Sequence, residues 1–126
     1  MKNPLQPLQP LLAFILLPLG VAHAHHSGNM FDPTRVVSLT GTVREFQWTN
    51  PHCYIQLLVR NERGVEEDWS IEMGAPQHVR GAGFTRTTVK PGDRISVTIH
   101  PLRNGDKGGE IMTVTTASGT PLELRR

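Results

Sequence analysis

A chain of 126 residues with a formal charge of +2 and 19% charged residues lacks the clustered Lys and Arg of a polyanion binder, because Arg60, Arg63, Arg80, Arg86 and Arg103 are spread among Glu62, Glu66, Glu67, Asp68 and Asp106. Nucleic acid is therefore not an expected partner. The length suits one small domain with one modest core, and a lone cysteine, Cys53, excludes an internal disulfide, so packing alone must hold the fold.

The first predicted element is an export leader. Lys2 precedes an apolar run from Leu11 to Val21, and Ala22 and Ala24 stand where an export peptidase reads small residues. Residues 1–24 are expected to be cleaved, taking His23 with them, and the product to be periplasmic or secreted. A spanning helix needs about 20 apolar residues, and Pro18 and Gly20 interrupt a shorter run, so no membrane attachment is expected after cleavage. Cutting after Ala24 leaves His25 with a free α-amine, followed by His26 and Ser27.

Residues 25–35 read as a polar N-terminal arm with a turn signal at Asp32-Pro33, and residues 36–126 as a single domain. Val36 to Asn50 is rich in β-branched and aromatic residues, but its apolar phase changes from Leu39 and Val43 to Phe46 and Trp48. A strand switches faces this way through a bulge or bend, for which Gly41 and Arg44-Glu45 are the candidates. Cys53, Ile55, Leu57 and Val59 then share one face of a second strand, and Asn61-Glu62-Arg63-Gly64 makes a hairpin to a third, which turns Trp69, Ile71 and Met73 inward. Ala75 to Gly83 is predicted to hold one short helix, opened by Pro76 and ended by Gly81. Lys90-Pro91-Gly92-Asp93 is a turn, Ile95, Val97 and Ile99 alternate along a fourth strand, and Gly109 to Thr116 forms the last.

The order β, β, β, α, β, β with a long bent first strand predicts an all-β chain with one short helix, folded as a small five-stranded OB-like Greek-key barrel. An open five-stranded sandwich or another small barrel satisfies the same periodicities.

The chain also resembles a family of small exported bacterial proteins of unknown function. The residues that carry the resemblance are His25-His26-Ser27, then Gly41, Val43, Phe46, Trp48 and Asn50-Pro51-His52, then Lys90-Pro91-Gly92-Asp93 and His100-Pro101. They span almost the whole mature chain. Gly83-Phe84 departs from that pattern, which has Gly-Trp there. The resemblance implies export and a compact β-rich domain, and no activity.

Chemistry concentrates in the histidines. His52 falls in the loop between strands one and two and His100 where strand four ends, and these loops flank the ligand-binding face of OB-folds. Antiparallel pairing of strands one and four brings the arm towards His100. Imidazoles, joined by the α-amine of His25, suit copper among the first-row metals, so His25, His26, His52 and His100 are the expected metal ligands. The plainer readings are a tight turn at Asn50-Pro51-His52, a strand terminus at His100-Pro101 and a solvated tail at the terminus. Trp48 and Asn50 are the expected contacts for any other ligand.

Cys53 reads as a core residue, since the Cys/His/Met loop of a blue-copper site is absent. His78 reads as a surface residue. Glu45, Glu67, Asp68 and Glu72 read as a solvated strand face belonging to no catalytic motif. The chain is therefore expected to be a binding protein and not an enzyme, with copper-dependent oxidative chemistry as a remote third reading. The alternative function is a module that binds a small molecule or a periplasmic protein partner around Trp48, His52 and His100.

Overall fold

The computed structural model describes residues 30–124. The predicted leader, His25 and His26 lie outside them. Six strands and one helix follow in chain order: β1 Val37–Gln47, β2 Tyr54–Arg60, β3 Glu66–Glu72, α1 Pro76–Gly81, β4 Arg94–Pro101, β5 Gly108–Thr115 and β6 Pro121–Glu123. β1 pairs antiparallel with both β2 and β4, β2 with β3, and β4 with β5. A parallel seam, Ser70↔Gly108 to Glu72↔Glu110, joins β3 to β5 and closes a five-stranded mixed barrel. This circuit, with its helix between β3 and β4, is the OB-like Greek key that the order of elements predicts.

A short extra strand, β6, accompanies the five-stranded barrel. β6, only three residues long, pairs with Thr113–Thr115 of β5 beyond the point where β3 ends, and so continues the seam. Proline at its first residue is the position a ladder tolerates, and Leu122 packs against the core.

The bend of β1 lies where the phase change puts it. Val43 pairs with Leu57 and Glu45 with Gln56, leaving Arg44 as the extra residue of a bulge. The Lys90-Pro91-Gly92-Asp93 turn braces that point from the other side: the Val43 N–H donates to the Asp93 carbonyl, and the Val43 carbonyl accepts from the Gly92 N–H, both at 2.8 Å. Gly41 serves close approach, since a Cβ there would stand 2.3 Å from the Leu58 carbonyl oxygen.

Inside the barrel, Val43, Ile55, Leu57, Ile71, Ile95, Val97, Ile99 and Val114 are buried, with Cys53 among them. Each large aliphatic contributes about 1.5–3 kcal/mol by leaving water. Pro76 opens α1 and its one buried residue, Val79, plugs the barrel together with Phe84. Gly83, at φ +94°, makes the reversal that brings Phe84 back over the core.

The arm needs a correction. Phe31, placed by the sequence in a polar segment, is 4% exposed, and it bridges antiparallel to Leu102. The Asp32 N–H donates to the Pro101 carbonyl at 2.9 Å, and the Arg103 N–H donates to the Met30 carbonyl at 2.9 Å. Residues 30–35 thus run along the end of β4, as the expected β1–β4 pairing requires.

Candidate functional site

Register determines which polar side chains meet. Tyr54 pairs with Glu72, Glu72 with Glu110, and Glu110 with His100. Directly opposed residues point to the same face of a sheet, so these four form one row across β2, β3, β5 and β4. The row lies on the outer face, because their neighbours Ile55, Ile71 and Ile99 fill the core. It crosses the seam where the barrel closes.

His52, just before β2, joins this row from the loop. Its Nδ1 lies 2.7 Å from Oε1 of Glu72. The Asn50-Pro51 peptide before it is cis, and the Thr49 hydroxyl donates to the His52 carbonyl at 2.8 Å. Glu72 in turn acts on Tyr54: burial pushes the Tyr54 hydroxyl pKa up, and the nearby carboxylate raises it further by charge and hydrogen bonding. The reading of Glu72 as part of a solvated face is thereby corrected, since its side chain is only 14% exposed and lies against an imidazole.

His100 is fixed from behind. Its Nδ1 lies 2.8 Å from the Arg35 carbonyl oxygen. A carbonyl only accepts, so Nδ1 carries the proton and a neutral His100 bears its lone pair on Nε2.

Both histidines border one cleft of about 1210 Å³, walled by α1, the β5–β6 edge and the start of the arm. His78 borders it too, from the exposed side of α1. The Glu72 and Glu110 carboxylates line it, as does Met30, the first described residue. Among the described residues no three His, Cys, Asp or Glu side chains are close enough to one another to hold a metal ion.

Trp48 and Asn50 do not border this cleft. The Trp48 indole is half-buried, edge-on to Phe46 at 5.8 Å, and the Arg80 and Arg86 guanidinium carbons each lie 5.6 Å from its centroid. The expected contacts are therefore divided, with His52 and His100 in the cleft and Trp48 elsewhere. Cys53 is wholly buried, and burial raises its thiol pKa, which fits a core cysteine.

Met73 reads from the sequence only as an inward strand residue, and Glu110 carries no signal. Glu110 gives none locally, because only the non-local β3–β5 pairing sets it beside Glu72. A protein-family model matches residues 15–111, and its description is that of a family of unknown function. No curated protein and no solved structure matches the chain.

Proposed function

We propose, for a chain that belongs to the DUF6152 family of unknown function, a role as an exported binding domain, not an enzyme, that holds copper at the cleft where the arm meets the barrel. The ligands in this reading are the α-amine and imidazole of His25, the imidazole of His26, and one or both of His52 and His100. Export rests on the leader-like residues 1–24, and the periplasm or the exterior is the compartment they imply.

The observation that carries the reading is the second layer behind the two cleft histidines. Metal-binding imidazoles almost always donate their other ring N–H to a carboxylate or a carbonyl, which fixes tautomer and orientation. His52 has Glu72 at 2.7 Å and His100 has the Arg35 carbonyl at 2.8 Å. The His100 contact fixes the lone pair of the neutral ring on Nε2, and the Glu72 carboxylate lies against the His52 ring.

Chain length supplies the rest. Met30 borders the cleft, and His26 precedes it by four residues, a reach of about 13–14 Å at full extension. The two cleft histidines alone fall short of a metal site, so the terminal donors are essential to this reading. An amine with several imidazoles is a donor set that suits Cu(II).

The test is calorimetric titration of the processed protein with Cu(II). His100→Ala and His52→Ala are expected to weaken binding, the more important ligand by about tenfold or more. Unchanged affinity in the double variant would remove the cleft from the site.

The second reading, an interaction module, is favoured by one observation. Arg80 and Arg86 flank Trp48 without a carboxylate partner among the described residues. Cation–aromatic contact of this kind suits an anionic or aromatic partner group. Changes at Trp48 would then alter partner capture and leave copper binding intact.

A further inference from the structure

Trp48 gathers two cations from separate parts of the chain. Arg80 comes from α1 and Arg86 from the segment that follows it, and each places its guanidinium carbon 5.6 Å from the indole centroid. Two like charges around one ring repel each other. The negative face of the indole offsets part of that repulsion.

No carboxylate offsets the rest. Among the described residues neither guanidinium has an ion pair. The sequence accounts for this, because no Asp or Glu stands between Glu45 and Glu62 or between Glu72 and Asp93, the two stretches that meet at Trp48. Each guanidinium presents a planar fork of N–H donors, the shape that grips a carboxylate or a phosphate through two parallel hydrogen bonds.

The supports of this patch are well packed. Trp48 lies against the core and stands edge-on to Phe46. Arg86 sits inside a threonine turn, in which the Thr85 N–H donates to the Thr88 hydroxyl at 2.7 Å and the Thr87 N–H to the Thr85 hydroxyl at 3.3 Å. Burial raises the Cys53 thiol pKa, and a Thr49 backbone hydrogen bond and the Arg86 charge act against it, so that charge stands close to the loop after Trp48. Neither arginine borders the cleft of His52 and His100, and Trp48 does not either.

We propose that Arg80 and Arg86 clamp one oxyanion, a carboxylate or a phosphate group, beside the Trp48 indole. This inference rests on the second reading, in which the Trp48 face is an interaction surface. Two guanidiniums match a single such group, whereas a polyanion calls for a longer basic track.

The experiment is an NMR titration of the protein at constant ionic strength, so that general screening cancels. Trp48 and Trp69 are the only tryptophans, and their two indole N–H signals are followed. The probes are inorganic phosphate, a free anion, and N-acetylglutamate α-amide, which carries a carboxylate as a partner protein would present it. The expected result is a saturable shift at Trp48 and not at Trp69, and the probe that saturates at lower concentration identifies the source of the oxyanion. Arg80→Gln and Arg86→Gln, both at exposed positions, are each expected to weaken binding about fivefold, and the double variant to lose it. A parent with no saturable shift at Trp48 for either probe overturns the inference. A double variant that binds as the parent does also overturns it, but keeps Trp48 as a contact and with it the reading of this face as an interaction surface.

Discussion

At Glu72 one carboxylate serves two neighbours. It meets His52 Nδ1 at 2.7 Å and sits opposite Tyr54, whose hydroxyl it pushes up in pKa. Nothing in the immediate sequence distinguishes it from Glu66, Asp68 or Ser70, the other outward residues of the same strand. The difference is non-local, because Glu72 alone lies level with the His52 loop and with Glu110. Substituting Glu72→Ala leaves His52 without its orienting partner. Cu(II) affinity is expected to fall by about 10–100-fold, the usual loss when a second-layer partner of a metal-binding histidine is removed. Titration of a variant with an unaltered circular dichroism spectrum checks this, and unchanged affinity would show that His52 plays no part in binding.

Among the elements, the strands follow closely from alternation. Ile55, Leu57 and Val59 face inward as their spacing requires, and the flip from Val43 to Phe46 predicts a bend at Gly41 or Arg44-Glu45, of which the register selects Arg44. The β5 bulge is not legible in this way, because Ile111-Met112-Thr113-Val114 offers no clean period to break. β6 escapes notice for its length, and Phe31 because the adjacent pair Met30-Phe31 in a polar run gives no periodicity. Gly41→Ala drives a Cβ to 2.3 Å from the Leu58 carbonyl oxygen at the β1–β2 contact, and forced overpacking of this sort is expected to cost about 1–3 kcal/mol in urea denaturation. A variant as stable as the parent would mean that β1 is free to shift there.

The arm has an acid-sensitive anchor. Hydrogen bonds from the Thr34 hydroxyl and N–H, at 2.7 and 3.1 Å, lower the Asp32 carboxyl pKa, with Arg103 and Arg35 contributing less. A depressed folded pKa adds stability that is present above the unfolded value, about 3.9, and is lost as pH falls through the folded one. Asp32→Asn is therefore expected to be less stable than the parent near neutral pH, and the gap to close below about pH 4. Parallel urea titrations at the two pH values check the sign. A gap independent of pH would assign the effect to packing instead of charge.

Over the whole molecule, barrel closure converts scattered residues into a site. Tyr54, Glu72, Glu110 and His100 come from four strands and are consecutive only across the ladders of the closed sheet. The histidines can be named from the sequence because they stand at loop boundaries, whereas their partners cannot, since a three-residue parallel seam sets them side by side. The same closure lays residues 30–35 along β4, with Met30 and Phe31 bordering the cleft. If processing after Ala24 creates a copper ligand, the terminus itself must control binding. Mass spectrometry of the natively exported protein, followed by calorimetric titration with Cu(II) of that form and of one retaining a single residue before His25, tests this. The expected result is a mass beginning at His25 and tight one-to-one binding that the extra residue weakens severely; cleavage at another bond, or equal binding by both forms, would contradict it.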